Sequence, residues 1–136
     1  MRVHVREQAE EFRRLAQRYG QLWTPTILEL DPAGVEQHRI EGFLPAEDLL
    51  AQLMLGLAHA AFRRQEWREA AHRFDEIVER LPDDDAAAEA EYWAGVASYK
   101  ETGDSAKLAE TARYFADHFQ GSQWAKRASV WSRPAA

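Results

Sequence analysis

The hydrophobic pattern of residues 2–20 changes from a strand period to a helix period. Val3 and Val5 are separated by a single polar residue, which predicts a short strand. A helix is predicted next, because apolar residues recur at helical spacing and Gly20 is placed to end it. The apolar residues of this helix are Phe12, Leu15, Ala16 and Tyr19.

A β-hairpin is predicted after this helix. Residues 27–30 form a short apolar run of β-prone composition, and a second run covers residues 35–40. The Asp-Pro-Ala-Gly sequence of residues 31–34 has the order that a type I turn prefers. Pro45 then lies near the first position of another helix, which is expected to run toward Phe62.

The chain after Pro45 is rich in alanine and shows helical spacing throughout. Turn and cap signals divide it into five helices. The three aspartates at residues 83–85 are interpreted as a helix cap, because they lack the spacing and the bidentate glutamate of a calcium loop. The tail of residues 132–136 is expected to fray. The signals that separate the helices are Gln65–Glu66, Pro82, Gly103 with Asp104, and Gly121 with Ser122.

Residues 2–53 resemble the C-terminal half of the thioredoxin fold. That family has a strand and a helix, a Thr/Ser-Pro-Thr loop, two strands joined by a turn that ends in glycine, and a closing helix. The corresponding residues here are Trp23-Thr24-Pro25-Thr26, Gly34, Gly42 and the helix from Pro45. The resemblance implies a cis peptide between Thr24 and Pro25. It also implies that the loop formed by Trp23, Thr24, Pro25 and Thr26 contacts a peptide by strand addition. The alternative for Trp23 is that its ring covers the end of the sheet.

Residues 54–136 resemble tetratricopeptide repeats, which are helix–turn–helix units of about 34 residues. A first unit has small residues at Ala58 and Ala61 and continues through Trp67 and Phe74 at the family spacing. A second unit fits less closely, and an ordinary bundle of helical hairpins explains the same pattern. The predicted fold is therefore α+β. It is a partial thioredoxin-like strand-helix-hairpin-helix, residues 1–53, joined to a tetratricopeptide-like helical region, residues 54–136.

Four of the five tryptophans fall on the helical stripes of the second half of the chain. Trp67, Trp93, Trp124 and Trp131 are interpreted as core residues rather than as a ligand cage, because small residues stand beside them. Trp67, Phe74 and Trp93 are expected to be mostly buried against Leu57, Ala58 and Ala61. The arginines around the first repeat alternate with acidic residues, which indicates a solvated face of mixed charge more than an anion site.

The chain contains no cysteine. A thiolate is the nucleophile of disulfide exchange, so this polypeptide alone is not expected to act as a thiol–disulfide enzyme. None of the five histidines forms a His-x-x-x-His or His-Glu-x-x-His pair, and no glycine-rich phosphate loop is present. Neither a bound metal nor a cofactor is therefore predicted.

The net charge of −6 is spread evenly along the chain. Residues 1–53 carry six Lys/Arg and nine Asp/Glu, and residues 54–136 carry eleven and fourteen. Neither part has the basic face expected of a nucleic-acid partner. No apolar run approaches the ~18 residues of a membrane span, and charged residues interrupt the start where a signal peptide would be apolar. A cytoplasmic location is predicted.

The leading hypothesis is a non-catalytic protein-interaction module that binds a protein or peptide partner. A homodimer is also predicted. The resemblance places a missing strand between residues 2–5 and residues 26–30, and an open strand edge recruits another strand. The alternative is a fragment of a thioredoxin-like thiol–disulfide oxidoreductase whose Cys-x-x-Cys segment lies upstream of Met1. The in-frame DNA upstream of Met1 would distinguish the two hypotheses.

Overall fold

The computed structural model of the chain describes residues 1–132, so residues 133–136 of the tail predicted to fray lie outside the described residues. The described part combines helices with one two-stranded antiparallel sheet, as the α+β prediction requires. The chain divides into two compact units, Met1–Leu44 and Pro45–Ala136. The predicted boundary between residues 53 and 54 falls inside a continuous helix of the second unit.

The first unit contains helix α1 (Ala9–Tyr19) and strands β1 (Thr26–Leu30) and β2 (Glu36–Glu41). The predicted strand at residues 2–5 is wrong. Residues 1–4 have no regular structure, and residues 5–8 form a turn that leads into α1, where the Gln8 amide donates to the His4 carbonyl at 3.0 Å. The physical reason is that the turn and its hydrogen bonds direct the segment into the start of α1, where the His4 amide also donates to the Gln8 Oε1 atom at 3.0 Å.

The hairpin turn forms as its sequence predicts. The Gly34 amide donates to the Asp31 carbonyl at 2.9 Å, which closes the turn. The Asp31 Oδ1 atom also accepts from the amides of Ala33 and Val35, both at 2.9 Å. Gly34 has a φ of +80°, a left-handed conformation that favours glycine. The turn therefore sets the pairing of β1 with β2.

Hydrogen bonds at the end of α1 hold this helix on one face of the hairpin. The Tyr19 hydroxyl donates to the Gly34 carbonyl at 3.1 Å, and the Arg39 guanidinium donates to the Tyr19 carbonyl. Arg39 lies opposite Leu28 in the sheet register. Cross-strand partners share a face, so α1 lies on the face of the sheet that carries Leu28.

The second unit contains the five predicted helices, and its last helix continues into a short 3₁₀ helix. The bounds are α2 (Ala46–Arg63), α3 (Trp67–Arg80), α4 (Asp85–Thr102), α5 (Ala106–Asp117), α6 (Gln123–Ala128) and the 3₁₀ helix Ser129–Ser132. Helix α3 packs on α2 and α4, and α5 packs on α4 and α6. Helix α4 also contacts α2 and α6, so alternate helices are neighbours. The resemblance to tetratricopeptide repeats stays a prediction.

Side-chain caps separate these helices where the sequence predicts them. Asp84 caps α4 by accepting from the Ala86 amide at 2.8 Å, which confirms the capping role of the aspartate run. Gly103 ends α4 with a φ of +70°. Asp104 accepts from the first amide of α5 at 2.9 Å, and Ser122 accepts from the Ala125 amide of α6 at 3.0 Å.

The core of the second unit is built mainly from alanine. Phe74, Leu55 and Ile77 are its largest fully buried side chains. Trp67 and Trp93 are half-buried, so the prediction that they are mostly buried holds only in part. Leu57 is 52% exposed, and the prediction that it packs in this core is wrong, because α2 buries the face that carries Leu55 and Ala58.

Helices α4 and α5 approach closely at Gly95 and Thr111. A Cβ atom on Gly95 would lie 2.0 Å from the Thr111 Oγ1 atom and 2.9 Å from its Cβ atom. Thr111 is buried and its hydroxyl donates to the Lys107 carbonyl at 3.1 Å. Because the second contact is with Cβ, a side-chain rotation of Thr111 cannot relieve the overlap. Only glycine fits at position 95.

Replacement of Gly95 by alanine is therefore expected to destabilise the protein. Gly→Ala inside a helix ordinarily stabilises by about 1 kcal/mol, but overpacking costs about 1–3 kcal/mol. We expect a net loss in the free energy of unfolding from denaturant melts. Lys100→Ala on the exposed surface of α4 is the control and should change stability by less than about 0.5 kcal/mol. A stabilised Gly95→Ala protein would contradict the close approach.

Phe74→Ala is expected to lower the free energy of unfolding by about 3–5 kcal/mol, because it removes a fully buried ring. Leu57→Ala on the neighbouring α2 is the control, since Leu57 is half in solvent. The control should cost about 1 kcal/mol or less. Equal losses for the two variants in urea melts would show that Phe74 is not a core residue.

Candidate functional site

The loop predicted from the sequence as a binding site is ordered by its own hydrogen bonds. The peptide between Thr24 and Pro25 is cis, as predicted. The Trp23 carbonyl accepts from the Gln21 side-chain amide at 2.6 Å and from the Thr26 hydroxyl at 2.5 Å. The Trp23 ring is 69% exposed, so it does not cover the end of the sheet. Its apolar surface is available for contact.

This loop forms one end of an apolar groove in the first unit. The groove has a volume of about 830 Å³ and is bounded by residues 1–5, by one face of α1 and by β1. Thr24, Pro25 and Thr26 line it, whereas Trp23 stands beside it. The apolar side chains of the walls include Val3, Phe12, Leu15, Ile27, Leu28 and Leu30.

The groove runs along an open backbone edge of β1. The Pro25 carbonyl accepts from the Gly42 amide at 2.8 Å, so the main chain at Pro25 faces β2. Bonding alternates along an antiparallel pair, so the main-chain groups of Ile27 and Glu29 also point at β2. Those of Thr26 and Leu28 then point outward, toward the groove side, where the described chain has no further strand. Two amides and two carbonyls are therefore free to pair with an added strand.

Two polar side-chain atoms of this unit are buried without a hydrogen-bond partner. One is the Oε1 atom of Glu29 on β1, and the other is the Nδ1 atom of His4. Burial raises the pKa of Glu29 to about 7, because a desolvated carboxylate is disfavoured. The groove and its surroundings therefore contain two buried polar atoms that lack a hydrogen-bond partner.

The first unit has almost no core of its own. Of residues 1–44, only Ile40 is buried, at 5% exposure. Large apolar side chains remain in solvent instead, Leu22 at 83% and Phe43 at 84%. A two-stranded hairpin with one helix is marginal alone, so this unit has apolar surface available for a partner.

Aromatic side chains of the second unit form a connected cluster, as the core interpretation predicts. The Phe62 ring lies 5.0 Å from Trp67 and 5.2 Å from Trp93, and the Tyr92 ring stacks on Trp131 at 4.7 Å. Phe62 and Trp93 pack against one core cluster of the helical unit, and Tyr92 and Trp131 pack against the other.

Arginines on the surface of the second unit are paired with acidic side chains. Arg64 bonds to Glu66 at 2.8 Å, and Arg68 bonds to Glu101 at 2.8 Å. Two further pairs join residues four apart on α3: Arg73 bonds to Glu69 at 2.7 Å, and Arg80 bonds to Glu76 at 2.8 Å. This confirms the solvated face of mixed charge.

A group of titratable side chains lies where α3, α4 and α5 meet. Burial raises the pKa of Glu91 to about 7; the carboxylate of Asp75 also raises it, and His118 lowers it. The pKa of Asp75 is raised as well, by burial and then by Glu79. The Tyr114 ring stacks on His118 at 4.2 Å, and burial raises the pKa of Tyr114, with a smaller contribution from the charge of Glu91. Glu91 is less exposed than Asp75 and its pKa is the one raised to about 7, so Glu91 is the principal group.

A shallower pocket of about 570 Å³ lies between the α3–α4 and α5–α6 loops. Asp83, Asp84 and Asp85 form its acidic side, but Asp84 is already engaged as a helix cap. Over residues 1–132, no group of three or more His, Asp or Glu side chains is arranged to hold a metal ion. In the same range, no helix is both long and apolar enough to cross a membrane.

Comparison with known proteins finds no matching protein family, no matching curated protein and no matching solved structure. The candidate site therefore stands on its own geometry.

Sequence reasoning identified the loop but not the groove. It did not predict that α1 and residues 1–5 form the other walls, because no local signal carries that contact. It also missed Glu29 and Glu91. Glu29 stands between apolar residues of β1, and this position is the one sequence signal that favours a buried carboxyl group.

The raised pKa of Glu91 predicts a pH dependence of stability. Its pKa in the folded protein is about 7, above the ordinary value of 4.5, so the folded state binds the proton more tightly. The contribution of Glu91 to stability should therefore fall as pH rises from about 5 to about 8. Glu91→Gln should stabilise the protein at pH 8 and change it little at pH 5 in thermal melts. Glu110→Gln, on the exposed surface of α5, is the control. Equal effects of Glu91→Gln at both pH values would contradict the prediction.

Proposed function

We propose that the chain is a non-catalytic protein-interaction module that binds an extended segment of a partner protein by strand addition. The observation that carries the proposal is the open edge of β1, where the backbone groups of Thr26 and Leu28 face an apolar groove. The proposal agrees with the resemblance to the thioredoxin fold, in which the corresponding loop contacts a peptide.

Main-chain hydrogen bonds would supply part of the affinity and would not depend on the partner's sequence. Side chains of the added strand alternate between two faces. On the α1 face they would contact Leu28 and Leu30, with Phe12 and Leu15 behind. Specificity would then come from apolar residues at every second position of the partner.

The exposed Trp23 ring would extend the contact beyond the strand edge. Its carbonyl is held by Gln21 and Thr26, so the loop presents the ring without rearranging. Tryptophan is enriched among the residues that dominate binding interfaces. In this proposal the helical second unit is a scaffold, resembling tetratricopeptide repeats, and the module is cytoplasmic.

A peptide of about eight residues in which valine alternates with threonine is a suitable probe. We expect it to bind and to slow hydrogen exchange at the amides of Thr26 and Leu28, measured by NMR. A matched peptide with N-methylated backbone amides keeps the side chains but loses donors, and it should bind about tenfold more weakly. Equal binding of both peptides, or protection confined to the second unit, would overturn the proposed function.

Substitutions in the groove test the same proposal from the protein side. Leu30→Lys introduces a charge at a groove residue that is already 43% exposed, so the fold should tolerate it. It should weaken binding of the valine-threonine peptide by about tenfold. Val35→Lys is the control, since Val35 is 56% exposed and does not line the groove.

A further inference from the structure

The segment Met1–Val5 has the sequence of a strand but does not form one. Its apolar residues Met1, Val3 and Val5 alternate with Arg2 and His4, which is the period of a half-buried strand. In the structure, His4 is instead drawn toward the start of α1: its amide donates to the Gln8 Oε1 atom at 3.0 Å. The segment lies against the groove with its backbone outside any sheet.

The open edge of β1 fits this segment in its pattern of side chains. Thr26, Leu28 and Leu30 point to the α1 face, and Ile27 and Glu29 point to the opposite face. If Val3 and Val5 of an added strand contact the face of Leu28 and Leu30, its Arg2 and His4 lie on the face of Glu29.

This arrangement would satisfy two buried groups that the single chain leaves without partners. The Glu29 Oε1 atom and the His4 Nδ1 atom both lack a hydrogen-bond partner. An added strand with His4 on the face of Glu29 brings an imidazole and a carboxylate together, and Arg2 adds a second cation beside the same carboxylate. The charges of the segment and of the edge are thus complementary.

We propose that residues 1–5 of a second copy of this chain add to the outer edge of β1, so that two chains exchange their first segments and form a homodimer. The proposal rests on the proposed function, since it names one occupant of the same edge. A second copy is favoured because, within one chain, the turn at residues 5–8 holds the segment out of the sheet although it lies beside the groove.

Reciprocal exchange has a further physical advantage. Each hairpin becomes a three-stranded sheet, and three strands with an apolar face are the usual minimum for independent stability. The exchange is isologous, so the assembly closes at two chains. It also covers the strand edge that a partner peptide would use, so dimerisation and peptide binding should compete.

The test measures mass by light scattering on a sizing column, from low to high micromolar protein. The full chain should be a dimer. Val3→Asp combined with Val5→Asp should make it monomeric or weaken dimerisation by about tenfold or more, and Leu30→Lys should do the same from the edge side. Val35→Lys, away from the groove, should remain dimeric. Unchanged thermal melts of the helical unit would show that the variants remain folded.

Mixing the two defective chains is the decisive measurement. The chain with Val3→Asp and Val5→Asp retains a normal β1 edge, and the Leu30→Lys chain retains a normal first segment. In a mixed dimer, one normal segment can therefore pair with one normal edge, and the other pair carries both changes. We expect the mixture to dimerise more tightly than either variant alone. Pairing of the segment with its own β1 would give no such rescue.

The outcomes separate this inference from the proposed function. A monomer at every concentration, a dimer that survives both sets of substitutions, or a monomer whose Thr26 and Leu28 amides are already protected would each overturn the exchange. If the chain is monomeric but the valine-threonine peptide still protects Thr26 and Leu28, the exchange fails and the proposed function stands. If neither the segment nor the peptide pairs with β1, both fail.

Discussion

The hydrogen-bonding requirement of an extended backbone governs the first unit. Ile27 and Glu29 direct their main-chain groups to β2, and Thr26 and Leu28 direct theirs outward. Such groups must bond to water or to another strand. Here they open onto a groove whose walls are mostly apolar, so an incoming strand can both pair with the edge and cover the side chains.

In the second unit the backbone amides and carbonyls form their hydrogen bonds inside the helices. The stability of this unit therefore depends on how closely the helices pack. Backbone groups bond within each helix, so only side chains decide how the helices meet. Alanines let α2, α3 and α4 approach closely, and the few large side chains, Phe74 above all, fill the remaining space. At the α4–α5 crossing, Gly95 allows Thr111 to pack directly on the helix backbone. This unit therefore has a buried core of its own.

Two carboxyl groups take up protons near neutral pH for the same reason and with different consequences. Burial raises the pKa of both Glu29 and Glu91 to about 7. The environment of Glu91 is set by burial, by Asp75 of α3 and by His118 just after the end of α5, so its pKa depends on the fold of the helical unit. Glu29 has an unsatisfied oxygen beside an open edge, so its titration depends on what occupies that edge. A cation brought by an added strand would lower its pKa.

The sequence by itself determined the features that depend on a few neighbouring residues. The hairpin turn, the caps at Asp84 and Ser122 and the ends of the helices follow from signals within about four positions of each other, and so they could be predicted. The cis peptide between Thr24 and Pro25 was expected from the resemblance to the thioredoxin fold rather than from local signals. Tertiary structure alone decided whether Val3 and Val5 form a strand, because an alternating pattern becomes a strand only when its backbone is paired with another strand, and here the turn before α1 holds it away from β1. It also decided which face of α2 is buried, that Gly95 must meet Thr111, and that Glu29 and Glu91 lose water. Each of these depends on residues distant in the chain, whose approach no local pattern records.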